Sequence, residues 1–228
     1  MKELSIILCL LILFMACKKD KSAISPVTAA ELTNYYVALE RLDEDGKTKY
    51  RALYFENNNG TINATQDGAG GRRGQAVVIE NNSFRFDLGE ETNGTVTILL
   101  LTFEKQNNGK IILKSLTNEG TSSRQIVHAE MYATTSVPDW AGKTFSRKSG
   151  PASYAPYIKF SADKSMYVFA SSTTELPQFP GYAIGRSVGF KDDRAPSKMF
   201  LFVPSWKGNA KENVLVDTAP VVATYGQE

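Results

Sequence analysis

The chain has 228 residues, with 26 Lys+Arg against 24 Asp+Glu, one His and two Cys. A composition 42% hydrophobic and 22% charged can bury a core, which excludes wholesale disorder. The formal net charge of +2 excludes a dedicated nucleic-acid binder and a polybasic membrane-surface protein, and one His with two Cys excludes a zinc finger and a disulfide scaffold.

After Lys2, Leu4 to Ala16 form a thirteen-residue run that is apolar except for Ser5. As a helix it would span about 20 Å, short of the roughly 30 Å hydrocarbon core, so it reads as a signal-peptide h-region and not as a transmembrane helix. The run ends Phe14-Met15-Ala16-Cys17 and turns at once to Lys18-Lys19-Asp20-Lys21. A small residue directly before a Cys at this point resembles the lipobox of bacterial lipoproteins, with Phe14 where that family usually has Leu. The resemblance implies cleavage after Ala16 and a lipid on Cys17, the new first residue. Cys9 would leave with the signal, so the mature chain would hold neither a free thiol nor a disulfide. One acyl chain holds a protein only marginally, whereas the several chains of this family's lipid make the anchor durable. The alternative is a plain secretory signal whose h-region happens to contain a Cys. The resemblance implies a membrane-anchored place in the bacterial cell envelope, with the outer membrane as the expected bilayer, and is silent on activity. The organisation expected is a signal peptide over 1–16, a lipid-anchored tether over 17–31, and β modules over 32–136 and 137–228.

Thr28-Ala29-Ala30-Glu31 has the T-x-x-E capping-box pattern, which predicts a helical turn within 28–34. Short β-rich runs follow, separated by turn residues. Strands are predicted over 35–42, 48–56, 60–64, 75–80, 83–88, 95–104, 110–116 and 125–132. A second set is predicted over 143–147, 157–161, 166–170, 183–190, 199–204, 213–217 and 221–225. Asp45-Gly46, Asn59-Gly60, Asn93-Gly94 and Asn108-Gly109 supply residues that tolerate φ > 0 in tight turns. Phe84-Arg85-Phe86-Asp87-Leu88 alternates strictly, with one face buried and one wet. Thr97 to Phe103 is more continuously apolar and is expected to be covered on both faces.

The two halves resemble each other. Leu32–Val37 lies beside Trp140–Phe145, Tyr50–Phe55 beside Tyr154–Phe160, and Leu99–Phe103 beside Phe200–Val203, in the same order and at offsets near 100 residues. This suggests a tandem duplication with Val137-Pro138-Asp139 as the boundary, since Pro stops a ladder. The fold class expected is all-β: two tandem, weakly similar antiparallel modules, each a small barrel, roll or sandwich. The meander is faintly similar to lipocalin-like domains but lacks their opening Gly-x-Trp, so the similarity implies only a fold.

Signals for chemistry are sparse. His128 is the only His and lies in the strand-like Gln125–Tyr132, with no Gly-x-Ser-x-Gly elbow for a triad. The doublets Glu90-Glu91 and Asp192-Asp193 fall in apparent turns, and adjacent strand residues face opposite ways. Asp43-Glu44-Asp45-Gly46 lacks the later ligands of a calcium loop and reads as a hairpin turn. Gly68–Gly74 is a flexible basic loop, without the Gly-Lys-Ser/Thr of a phosphate loop; Arg72 and Arg73 are its anion-binding candidates. Asp217-Thr218-Ala219 is similar to the short acceptor pattern for O-glycosylation in some envelope proteins.

Aromatics are uneven: nine over residues 32–132 against fourteen over 140–228. Tyr154, Tyr157, Phe179, Tyr182 and Trp206 lie in or beside Pro/Gly-rich stretches, where rings can stack on sugars or apolar ligands. The alternative is a more aromatic core in the second half. The reading of the whole is a non-catalytic envelope lipoprotein that binds a ligand or partner, such as a glycan or a small apolar ligand, using loops of the 140–228 half. A structural lipoprotein pairing with another envelope protein, and a glycosidase-like hydrolase using cross-strand carboxylates, are the alternatives. No cofactor, metal or nucleic-acid partner is expected.

Overall fold

The computed structural model describes residues 25–68, 71–90, 93–171, 174–175, 177–195, 198–218 and 221–228. The signal segment, Cys17 and most of the tether lie outside these residues. The first described element is the short helix α1 (Ala29–Leu32), capped as its sequence requires: Glu31 N–H donates to Thr28 Oγ1 (3.4 Å) and Thr28 N–H to the Glu31 carboxylate (3.0 Å).

Eight strands follow: β1 (Tyr35–Leu42), β2 (Thr48–Asn58), β3 (Thr61–Gly68), β4 (Gly71–Ala76), β5 (Ser83–Glu90), β6 (Val96–Lys105), β7 (Ile111–Asn118) and β8 (Gln125–Ala133). They form a five-stranded sheet in the order β4-β3-β2-β1-β8 and a three-stranded sheet β5-β6-β7, all antiparallel between neighbours. The two sheets enclose one core, so the first half is a split eight-stranded barrel. Its interior holds Val37 and Leu39 of β1, Leu53 and Phe55 of β2, Phe84 and Phe86 of β5, and Leu99, Leu101 and Phe103 of β6. Leu32 and Val27 close one end of this core, and Val27 N–H donates to Asn82 Oδ1 (2.8 Å). On β6 the odd-numbered residues are buried and the intervening Ile98 and Leu100 only half-buried, so this strand is covered on one face and not on both as its apolar run suggested.

After a 3-10 turn over Thr134–Ser136 come β9 (Thr144–Ser149), β10 (Tyr157–Phe160), β11 (Met166–Ser171), β12 (Thr174–Glu175), β13 (Phe179–Ile184), β14 (Gly189–Asp192), β15 (Lys198–Phe202), β16 (Val214–Thr218) and β17 (Val221–Gln227). β10 pairs with both β9 and β11, and β17 with β9, so eight of these strands close into a ring, with β12 appended to β11. The interior is aromatic: Phe160 lies within 6 Å, centroid to centroid, of Trp140, Phe145, Phe190, Phe200 and Phe202, and Trp140 stacks flat on Phe202 at 4.6 Å. The run 183–190, predicted as one strand, is two strands joined by a tight turn. Gly185, Arg186 and Ser187 all have positive φ (49°, 55° and 66°).

Both halves are therefore antiparallel eight-strand meanders. The similar sequence segments fall at equivalent places: β2 and β10 are second, and β6 and β15 sixth, in their respective rings. A third apolar cluster joins the halves. Tyr36, Ala38, Tyr50, Ala52 and Tyr54, on the outer face of β1 and β2, pack against Ile184, Met199, Leu201, Trp206 and Leu215. Charged pairs lie within the same layer: Lys191 Nζ lies 3.4 Å from Asp67 Oδ1, and Arg51 Nη1 pairs closely with Asp217. Tyr36 OH donates to Phe202 O (2.6 Å) across it.

Candidate functional site

Strand alternation decides which residues enter the first barrel. Arg41 lies two residues beyond Leu39, and Arg51 two before Leu53, so both share the inward face; in the ladder Arg51 sits opposite Leu39 and Lys49 opposite Arg41. Gln66 sits opposite the inward Leu53, and Thr97 two before the inward Leu99. These residues lie at the end of the barrel away from α1, beside the β1–β2 turn. We call this end the mouth. Charged side chains are seldom deeply buried, yet Arg41 is 4% exposed, Arg51 5% and Lys49 7%, with Gln66 at 7% and Thr97 buried completely.

One carboxylate, Asp43, organises three of the guanidiniums at the mouth. Arg41 Nε donates to its Oδ1 at 2.6 Å, Arg51 Nη2 lies 3.6 Å from Oδ2, and Arg124 Nε 3.7 Å from Oδ1. Arg51 also donates to Tyr50 O (2.6 Å) and reaches across the interface to Asp217. Among the described residues, the Nη groups of Arg41, the Lys49 ammonium and the Gln66 amide have no hydrogen-bond partner. Burial, and then the positive charge of Arg51, pull the Arg41 guanidinium below the ordinary arginine value against the attraction of Asp43. Burial likewise pushes the Asp217 carboxyl up to about 6, against the opposing pull of Arg51 and Lys49. The turns around the mouth are tied together: Asn93 Nδ2 and Thr95 Oγ1 donate to the Glu44 carboxylate at 2.8 and 3.1 Å.

The mouth continues sideways into a seam. Among the described residues β4 and β5 make no main-chain ladder; the Gln75 amide bridges them instead, donating to Arg85 O (3.0 Å) and accepting from Asp87 N–H (2.8 Å). Beside this bridge an open depression of about 640 Å³ is lined by Arg72, Arg73, Gly74, Gln75, Asp87 and Gly89. The two anion-binding candidates thus flank the same end of the barrel but face opposite ways. Arg72 pairs with Glu56 at 2.6 Å and lies over the Tyr54 ring, whereas Arg73 sits opposite Gln66, exposed.

The five aromatic candidates do not converge. Trp206 is 1% exposed, its ring edge-on to Tyr50 and to His128 in the layer between the barrels, which leaves no face for a ligand. Tyr182 is exposed on β13, and Tyr157 is half-buried at the start of β10. Only Tyr154 and Phe179 share a neighbourhood, at one end of the second barrel. Tyr154 OH bonds Thr218 Oγ1 at 2.9 Å, and both rings meet Phe169. Cations of the chain itself already cover these faces: Lys198 Nζ lies 4.8 Å from the Phe169 centroid and Arg194 4.3 Å from that of Phe179.

His128 is half-buried, and its Nε2 lies 2.5 Å from Glu130 Oε1. Burial works against the Glu130 charge, but bonds from Tyr132 OH, His128 and Lys207 N–H outweigh it and hold the carboxyl below its ordinary value. The group ties β8 to the second barrel, through Tyr132 OH to Ser205 O and Lys207 N–H to Glu130. Of the acidic doublets, Asp192 is buried and accepts from Tyr167 OH, Asp193 is exposed, and Glu91 lies outside the described residues, as does Ala219. Among the described residues no three His, Cys, Asp or Glu side chains are placed to hold a metal ion, and no helix is long and apolar enough to cross a membrane.

The chain matches no protein-family model, no curated protein and no solved structure.

Proposed function

We propose that this chain is a lipid-anchored lipoprotein of the bacterial envelope whose body binds a small ligand without catalysis, at the mouth of the first barrel. The observation that carries the binding reading is the set of inward Arg41, Lys49, Arg51 and Gln66 side chains, all at least nine-tenths buried, of which the Arg41 Nη groups, the Lys49 ammonium and Gln66 Nε2 find no acceptor among the described residues. Unpaired donors in a largely buried site cost stability, and a ligand that accepts from them would recover it. The second barrel is filled by its own rings and serves as a rigid support.

The anchor follows from Met15-Ala16-Cys17. Seven residues lie between Cys17 and Ser25, so the eight Cα steps reach at most about 29 Å. The chain enters the body at the α1 end of the first barrel, so a lipid on Cys17 would attach at the end opposite the mouth.

Native mass spectrometry of the full chain, extracted from the envelope of the producing bacterium in mild detergent, tests both parts. The expected spectrum carries a covalent lipid mass, lost in Cys17→Ser, and a retained small ligand. A chain lacking the lipid mass refutes the anchor, and one that retains no ligand counts against the binding reading.

A further inference from the structure

The open donors at the mouth specify a kind of ligand. Arg41 and Lys49 face one another across the β1–β2 ladder, with Arg51 next along the same wall and Gln66 beside it on β3. Among the described residues the first-barrel groups left without a partner here are donors, namely the Arg41 Nη groups, the Lys49 ammonium and Gln66 Nε2, while on the second-barrel side one acceptor, Asp217 Oδ1, is also unpartnered. Charges follow the same pattern. Among the described residues Arg41 and Arg51 share Asp43, Arg51 also reaches Asp217 of the second barrel, and Lys49 lies within the field of Asp217 and of the exposed Asp45. Asp43 shows what the guanidiniums hold, since its two oxygens are gripped from Arg41, Arg51 and Arg124 at once. Guanidiniums in this arrangement match planar or tetrahedral oxyanions. A sugar or an apolar molecule would leave the charges unanswered.

We propose that the mouth of the first barrel binds a small oxyanion, the carboxylate or phosphate group of its ligand, through Arg41, Lys49, Arg51 and Gln66, with Asp43 as the internal competitor that holds the arginines in place. This rests on reading the mouth as the ligand site. The exposed Arg73, opposite Gln66, extends the positive wall toward the seam and gives the anion a lateral approach.

The test is isothermal titration calorimetry of the full chain in mild detergent, with inorganic phosphate and, separately, with acetate, at low ionic strength. Saturable binding of either anion is expected: phosphate alone assigns a phosphate-bearing ligand, acetate alone a carboxylate. Arg41→Gln should weaken binding at least about tenfold, and Lys49→Gln, which removes a single-point ammonium contact, about three- to tenfold. Asp43→Asn should tighten it. Thermal unfolding shows which variants remain folded, and Lys49→Gln keeps the test open if Arg41→Gln does not. No binding of either anion, or equal binding by wild type and Lys49→Gln, overturns the oxyanion inference. In that event a neutral ligand retained in the native mass spectrum would leave the binding reading standing, and an empty mouth would remove both.

Discussion

Asp217 joins the barrels under conditions that make its charge measurable as stability. It lies on β16, two residues beyond Leu215 of the inter-barrel core, with its side chain 1% exposed and its Oδ1 unpartnered. Burial raises its carboxyl from the ordinary 3.8 to about 6. The folded chain therefore keeps this proton to a higher pH than the unfolded chain does. The stability contributed by the protonated acid is fully present below about 3.8 and is lost as pH rises through about 6. At about 1.36 kcal/mol per pH unit the span corresponds to about 3 kcal/mol. Asp217→Asn removes the titration while keeping the shape. We expect wild-type stability, relative to Asp217→Asn, to fall by about that amount between pH 4 and pH 6 and to stay level from pH 7 to 8. Urea unfolding of the signal-free chain, followed by fluorescence of Trp140 and Trp206, reads the difference directly. A difference that is constant across the range, or that rises with pH, would refute the argument from burial.

Two more outcomes follow from the same interface. Trp206→Ala should destabilise the protein by about 3–5 kcal/mol, because the ring is fully buried between Tyr50 and His128; a melting temperature unchanged from wild type would mean that the layer between the barrels is not packed as described. Gly185 has φ +49°, and a Cβ there would lie 2.6 Å from the Tyr54 ring, so Gly185→Ala should cost at least about 1–3 kcal/mol by denaturant titration, and a neutral result would contradict the close approach of the β13–β14 turn to β2.

The strands were legible where alternation was clean. Tyr35–Leu42 and the Phe84–Leu88 pattern are found as read, and Asn59-Gly60 forms its tight turn with φ of 52° and 89°. The hairpin at Gly185–Ser187 was hidden because Arg186 and Ser187 carry no local sign that the backbone turns left-handed there; tertiary packing imposes it. The aromatic excess was visible, but a sequence does not say whether a ring beside Pro and Gly lies over a loop or under it. Trp206 lies under, and its neighbours His128 and Tyr50 come from distant strands. The basic mouth had a signal that composition obscured. Arg41 continues the Val37–Leu39 phase and Arg51 precedes the Leu53–Phe55 phase, so alternation alone places both inside. A charge at a strand end ordinarily marks solvent, and only the closure of β1, β2 and β3 around a core turns that position into a buried one.

The mouth of the first barrel, as proposed, receives an anion. The most direct measurement is a crystal soaked in selenate and recorded at the selenium edge. The account predicts an anomalous peak within hydrogen-bond reach of the Arg41 Nη groups and Gln66 Nε2. A map with selenate at other surfaces and none in this mouth would contradict it.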